Sequence, residues 1–95
     1  MTNSILPTQK GVCYVCGARC QTDVHHVFGG ANRNDSTKYG LLVDLCRVCH
    51  RRAHEHPIEF EKKYKLKAQA QETAMIFYGW TIADFRRRFR KNYLM

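Results

Sequence analysis

The sequence has no apolar stretch as long as the roughly 20 residues that a membrane-spanning helix needs, so we expect no membrane association. Its first residues, MTNSILPTQKG, lack the basic head and apolar run of a secretory signal, and we therefore expect a cytoplasmic protein. Acidic residues are also few: 8 Asp and Glu stand against 16 Lys and Arg, a net charge of +8. This excess of positive charge favours a polyanionic partner.

The 95 residues are enough for one small domain, residues 1–95, with a modest core. Bound metal would help to stabilise a core of this size. In a reducing compartment, the five cysteines indicate metal ligation rather than disulfides, and their odd number leaves one thiol over.

Composition divides the chain into three parts. Residues 1–10 are polar and are expected to form a flexible arm, residues 11–56 are dense in Cys, His and Gly, and residues 57–95 have helical periodicity. In the middle part, DVHHVF predicts a strand, ANRNDSTK a polar loop and LLVDL a second strand, with a helix beginning after Cys46.

The last part predicts a cover of two helices. Pro57 is suited to a first helical turn and Gly79 to a helix end, while Thr81 and Asp84 have the form of a capping box that opens a shorter helix. The aromatic residues of this part could stack on bases, but their helical spacing is more typical of a core. They are Phe60, Tyr64, Phe77, Trp80, Phe85 and Phe89.

Two CxxC pairs, CYVC and CRVC, have the spacing of zinc knuckles, which direct two sulfurs at one tetrahedral ion. Together they predict a structural Zn²⁺ site formed by Cys13, Cys16, Cys46 and Cys49. Buried thiols or a redox pair are the alternative interpretation. Cys20 is the spare thiol, and it could replace Cys16 as a ligand.

The histidines predict a second site. On a helix that begins near Cys49, His50 points away from that cysteine and His54 lies one turn further along the same face. A third ligand would come from His25 or His26, which point to opposite faces of a strand, so the other one has a different role. Alternatively, these are surface or core histidines, or one or two of them replace cysteines at the zinc. We expect His56, before Pro57, at a helix entry instead.

The run HH, a loop, an apolar strand and then CHRRAH resembles the ββα-metal motif of the HNH (His-Me finger) endonucleases, some of which carry CxxC pairs around a structural zinc. The resemblance covers roughly residues 13–56, and VHHVFGGANR with KYGL is also similar to small phage-associated HNH proteins. It implies an α+β fold with a small treble-clef-like core. It also implies phosphodiester hydrolysis in DNA by a bacterial or phage-encoded intracellular endonuclease or nickase.

Carried over by position, the resemblance makes His26 the general base and places a catalytic divalent ion (Mg²⁺, Mn²⁺, Ni²⁺ or Zn²⁺) on His25, His50 and His54. The sequence departs from the family at Leu41, where the Asn that braces the base should stand. That role is either lost or taken by a residue of the polar loop. The candidates are Asn32, Asn34 and Asp35.

Basic residues near the motif are candidates for contacts with DNA phosphates. They are Arg33, Lys38, Arg47, Arg51 and Arg52. The C-terminal basic residues could act likewise or form a solvated helix face: Arg86, Arg87, Arg88, Arg90 and Lys91. We expect four lysines to be solvated surface: Lys62, Lys63, Lys65 and Lys67.

Two other functions fit the same residues. The first is a non-catalytic zinc-finger-like module that binds nucleic acid or a protein, in which His26 would have no task. The second is a structural or interaction protein whose helices dock a larger partner. A protein partner that supplies targeting would also suit so small a nuclease.

Overall fold

Two antiparallel strands lie at the centre of the computed structural model, which describes residues 4–94. Strand β1 (Thr22–His26) pairs with β2 (Leu42–Cys46) in a register that sets Thr22 opposite Cys46 and His26 opposite Leu42. The first four residues of β2 are buried, as expected for a near-continuous apolar run. Both predicted strands are therefore present: β1 is one residue shorter than predicted, and β2 has the predicted length but begins one residue later.

The segment between the strands differs from its prediction as a polar loop. A 3-10 turn at Gly30–Asn32 leads into helix α1 (Arg33–Lys38). The hydroxyl of Ser36, which is fully buried, accepts a hydrogen bond from the Phe28 amide at 3.0 Å and donates one to the Phe28 carbonyl at 2.7 Å. These two bonds hold α1 against the chain that leaves β1.

Helix α2 (Arg47–Glu55) follows β2 directly and completes the predicted order of strand, strand and helix. Cys46 is both the last residue of β2 and the N-cap of α2, because its sulfur accepts a hydrogen bond from the amide of Cys49. The chain therefore changes from strand to helix within the CRVC motif.

Three helices, rather than the two that the sequence predicts, form the C-terminal part: α3 (Pro57–Tyr64), α4 (Leu66–Tyr78) and α5 (Ile82–Phe89). The helix expected from Pro57 to Gly79 breaks at Lys65, whose φ is +52°. The carboxylate of Glu61 then accepts hydrogen bonds from the amides of Lys67 and Ala68, at 2.8 and 3.1 Å. A side chain of α3 therefore caps α4, and helical periodicity alone does not reveal such a contact between two helices.

The predicted start of the last helix is confirmed. Thr81 and Asp84 form both hydrogen bonds of a capping box. The helix turns Phe85 and Phe89 inward, where both rings contact Phe28 with centroids 5.4 and 4.9 Å away. None of the helices within residues 4–94 is long and apolar enough to cross a membrane.

The N-terminal segment differs from a flexible arm where the structure describes it. Leu6 is 4% exposed and belongs to the core, and the Ile5 amide donates to the carbonyl of Gly40 at 2.9 Å. The Thr8 hydroxyl donates to the carboxylate of the buried Asp44 at 2.9 Å. Residues 1–3 of the expected arm lie outside the described part of the chain.

Candidate metal centres and the adjoining cleft

The four predicted cysteine ligands lie together, with all sulfur atoms within 4.8 Å of one another. The Cys13 carbonyl accepts a hydrogen bond from the Gly17 amide, which closes the first knuckle, and the Tyr14 amide donates to the Asp44 carbonyl of β2. Cys16 Sγ is 3.8 Å from Cys46 Sγ. Four sulfurs about 2.3 Å from a tetrahedral zinc would be about 3.8 Å apart. The cluster can therefore hold a metal such as zinc.

The pKa shifts of the clustered thiols are consistent with metal binding. Burial acts to raise the pKa of Cys13, but hydrogen bonds from the backbone at Cys46, Cys16 and Val15 outweigh burial and lower it to about 6. The pKa of Cys49 is raised by burial and by hydrogen bonds with the neighbouring thiols. Thiols so close together cannot all ionise without a compensating cation, which a bound metal provides. Cys20 is exposed and is not one of the four clustered cysteines.

His25, His50 and His54 form a second cluster, with one ring nitrogen of each within 4.8 Å of the others. His50 Nε2 is 3.1 Å from His54 Nε2, close to the roughly 3.3 Å between two nitrogens bound to one tetrahedral zinc. His25 reaches this cluster from β1, and the other two reach it from one face of α2. As predicted, Cys49 of α2 belongs to the sulfur cluster while His50 and His54 of the same helix belong to the imidazole cluster.

His25 has the neutral ring that metal binding requires. It is 7% exposed, and burial together with the neighbouring His50 and His54 lowers its pKa to about 3, so the ring is neutral at physiological pH. Within residues 4–94, its buried Nδ1 has no hydrogen-bond partner. An uncompensated buried nitrogen is costly, and a cation bound at Nδ1 would relieve that cost.

An acidic residue that the sequence analysis left without a role supports this cluster. Asp23 Oδ2 is 3.4 Å from Nδ1 of His50, which leaves His50 Nε2 directed at His54. A carboxylate behind a metal-binding histidine fixes the orientation of the ring. Strand alternation could have identified Asp23, since it lies two residues before His25 and therefore on the same face of β1.

His26 is on the other face of β1, where its Nε2 is 3.0 Å from the hydroxyl oxygen of Thr37 on α1. Burial, followed by the charges of Arg33 and His50, lowers its pKa below the usual range of histidine. Leu41, where the HNH motif that the sequence resembles would have its Asn, is fully buried in the core.

The sequence analysis did not identify Thr37 as a neighbour of His26. Of its three candidates for orienting the base, Asn32 donates to the Phe89 carbonyl at 3.1 Å and accepts from Arg90 at 2.8 Å, which links it to the end of α5. Asn34 and Asp35 are on α1 with Thr37. Since the segment was taken for an irregular loop, no periodicity indicated which of its side chains would reach His26.

A cleft of about 240 Å³ opens beside the histidines. His25, His26 and His54 line one end, and Lys67 and Tyr93 are among the residues that line the rest. The Lys67 ammonium lies 5.6 Å from the centre of the Tyr93 ring, and its charge contributes to the low pKa of His25. Lys62, Lys63 and Lys65 are exposed as predicted, whereas Lys67 is half-buried and lines the cleft.

The other basic residues fall into two groups. Those of the motif are exposed: Arg33, Lys38, Arg47, Arg51 and Arg52. The C-terminal group is partly engaged in packing, since Arg88 stacks 4.4 Å from the Trp80 ring and Arg87 pairs with Asp84 at 3.2 Å.

The aromatic residues of the C-terminal part mostly follow the core interpretation. Phe60, Phe85 and Phe89 are buried, and Tyr64 and Trp80 pack at the edge of the core. Phe77 is 64% exposed, so the expectation of a core position is wrong for that residue.

No family model, curated protein or solved structure matched the chain. A functional proposal therefore depends on the two clusters and the cleft.

Proposed function

We propose that this protein is a metal-dependent nuclease of the HNH type that hydrolyses phosphodiester bonds in DNA. The observation that supports it most is that His26, Lys67 and two of the three clustered histidines, His25 and His54, line the same cleft. This arrangement combines a proton acceptor, a candidate cation site and a fixed positive charge.

The residues present fit two ions with different functions. Cys13, Cys16, Cys46 and Cys49 would hold a structural zinc, while His25, His50 and His54 would hold a divalent ion. Three imidazoles favour Ni²⁺ or Zn²⁺ over Mg²⁺, which prefers oxygen ligands. When bound, such an ion would stabilise charge on the scissile phosphate and the leaving 3′ oxygen.

His26 would accept the proton. Since its pKa is lowered, mainly by burial, the ring is neutral near pH 7 and can act as a base. The oxygen of a water molecule bonds to phosphorus as the bond to the 3′ oxygen breaks, and the water proton passes to the imidazole. The leaving 3′ oxygen takes its proton from solvent.

Positive charge would bind the DNA backbone without reading its sequence. Lys67 lies within the cleft, while Arg33 is exposed near His26 and Arg51 and Arg52 are exposed on α2. Contacts of this kind depend strongly on salt concentration. The net charge of +8 would also attract DNA over longer distances.

Nicking of supercoiled plasmid by the wild type and by His26→Ala tests the proposal, with Mg²⁺, Mn²⁺, Ni²⁺ or Zn²⁺ supplied in turn. The matched control is His56→Ala, since His56 is exposed and lies outside both clusters. Zinc content and circular dichroism establish that all three proteins are folded. We expect the wild type and His56→Ala to nick, and His26→Ala to be slower by roughly a hundredfold or more. A folded wild type that nicks with none of these metals would refute the proposal.

A non-catalytic zinc module that binds nucleic acid is the second candidate function. It is favoured by Leu41, which fills a core position where the HNH family has its Asn. In that case the wild type would bind DNA without nicking it, and His26→Ala would bind equally well.

A further inference from the structure

We propose that Thr37 positions His26 by fixing its tautomer, with the proton on Nε2, so that Nδ1 is the nitrogen that accepts the proton of the attacking water. This inference depends on the proposed nuclease function for its catalytic consequence. The contact itself is a property of the fold and can be tested separately.

Two contacts of the Thr37 hydroxyl favour one tautomer of His26. Thr37 Oγ1 lies 3.3 Å from the Arg33 carbonyl, one turn earlier on α1, and 3.0 Å from His26 Nε2. A hydroxyl has one hydrogen, and a backbone carbonyl can only accept. Both contacts are hydrogen bonds at the same time only if Thr37 Oγ1 donates to Arg33 and accepts from His26. In that arrangement His26 Nε2 carries the hydrogen, and the lone pair is on Nδ1.

The fold keeps Thr37 in place even though its side chain is exposed. The preceding residue, Ser36, is fully buried and makes two hydrogen bonds to Phe28, two residues beyond His26. The same short stretch of chain therefore fixes both partners of the contact. Such preorganisation matters because a base that rotates or changes tautomer loses its alignment with the water.

Thr37 also accounts for how the site works without an Asn at position 41. Leu41 is buried in the core, and Asn32 is engaged with Phe89 and Arg90 at the end of α5. The hydroxyl of Thr37 is the side-chain group that contacts the ring of His26 directly. The bracing function therefore comes from α1 in this chain.

The test compares Thr37→Val, which removes the hydroxyl with little change in volume, with Thr37→Ser, which retains it. Plasmid nicking is measured at saturating divalent metal after equal zinc content and circular dichroism have been confirmed. We expect Thr37→Val to lower kcat at least about tenfold with little change in KM, and Thr37→Ser to stay within a few-fold of the wild type. Equal kcat in the wild type and Thr37→Val would overturn the catalytic part of the inference.

A second measurement reports on His26 without using activity. Long-range ¹H–¹⁵N spectra of protein labelled at the imidazole nitrogens show which nitrogen is protonated, and the His26→Ala spectrum assigns the signals. We expect the Nε2–H form in the wild type and Thr37→Ser, and a mixture of tautomers in Thr37→Val. An unchanged tautomer in Thr37→Val would overturn the contact. A wild type that shows the Nε2–H form but does not nick would refute the nuclease proposal and leave the Thr37 contact supported.

Discussion

The two clusters share one short stretch of sequence but differ in how they are enclosed. Cys46, Cys49, His50 and His54 lie within nine residues, yet the cysteines cluster with the N-terminal knuckle while the histidines cluster with His25 beside a cleft that His25 and His54 line. The sulfur cluster supplies four ligands, enough to complete a tetrahedral site, and the imidazole cluster supplies three. Structural zinc sites are closed and catalytic ones keep an open position. The number of candidate ligands is therefore that of a structural site in the cysteine cluster and, under the proposed function, that of a catalytic site in the histidine cluster.

The geometry of α2 makes this separation possible. Adjacent residues of a helix are about 100° apart, so Cys49 and His50 belong to different clusters although they are neighbours in sequence. Four residues bring His54 back over His50, whose nitrogen it approaches to 3.1 Å. One helix of nine residues thereby contributes to both clusters.

The largest effect, on the stability of the fold, is expected when the cysteine cluster is broken. Cys49→Ser should remove the zinc and unfold the domain, since a structural zinc contributes on the order of 10 kcal/mol to folding. Metal content by mass spectrometry and thermal unfolding by circular dichroism measure this. Cys20→Ser is the matched control, because Cys20 is an exposed thiol that is not one of the four clustered cysteines. Retention of zinc and of a cooperative transition by Cys49→Ser would contradict the assignment.

Breaking the histidine cluster should leave the fold intact. His54 is exposed, so His54→Ala is expected to keep its zinc and its melting temperature within a few degrees of the wild type. Nicking should fall by roughly a hundredfold or more, as when one group that stabilises transition-state charge is removed. The contrast with Cys49→Ser is the key result. Full activity in His54→Ala would separate the histidine cluster from the chemistry.

A smaller effect is expected at the wall of the cleft. Lys67→Ala should weaken DNA binding similarly for all sequences and reduce the slope of log K against log salt concentration by about 1, because one phosphate contact is lost. Lys62→Ala, on the exposed surface of α3, is the matched control. Fluorescence anisotropy with labelled duplexes measures both slopes. If the two variants have the same slope, Lys67 does not contact phosphate.

The smallest effect is expected far from both clusters, at the start of α5. Hydrogen bonds from Thr81 and the charge of Arg87 lower the pKa of Asp84 below its unfolded value. The stabilisation from the ionised carboxylate is therefore present above about pH 4, the unfolded pKa, and disappears as the pH falls through the folded pKa. Asp84→Asn should melt below the wild type at pH 7, and the difference should shrink on acidification. Scanning calorimetry of both proteins at each pH measures it, and a constant difference would contradict this explanation.

Spacing in the sequence was sufficient to predict candidate ligands and caps that lie close together in one knuckle or on one helix. The CxxC pairs, the histidines four residues apart on α2 and the capping box of Thr81 all follow from local geometry. Contacts between distant segments were not predictable in this way. Glu61 of α3 caps the start of α4, where Lys67 lies, and hydrogen bonds of Ser36 to Phe28 hold α1 where a loop was expected. Thr37 and Lys67 were missed because their positions depend on such contacts, and Asp23 was missed although strand alternation could have identified it.

The most direct test of the separation between the two sites is stepwise removal of metal. Wild-type protein is dialysed against EDTA, and zinc content, circular dichroism and plasmid nicking are measured before and after Mn²⁺ is restored. We predict that one zinc and the folded spectrum persist while nicking disappears, and that Mn²⁺ restores it in the wild type but not in His54→Ala. Nicking that continues at full rate in the EDTA-treated protein, or restoration by Mn²⁺ in His54→Ala, would contradict the assignment of catalysis to the histidine cluster.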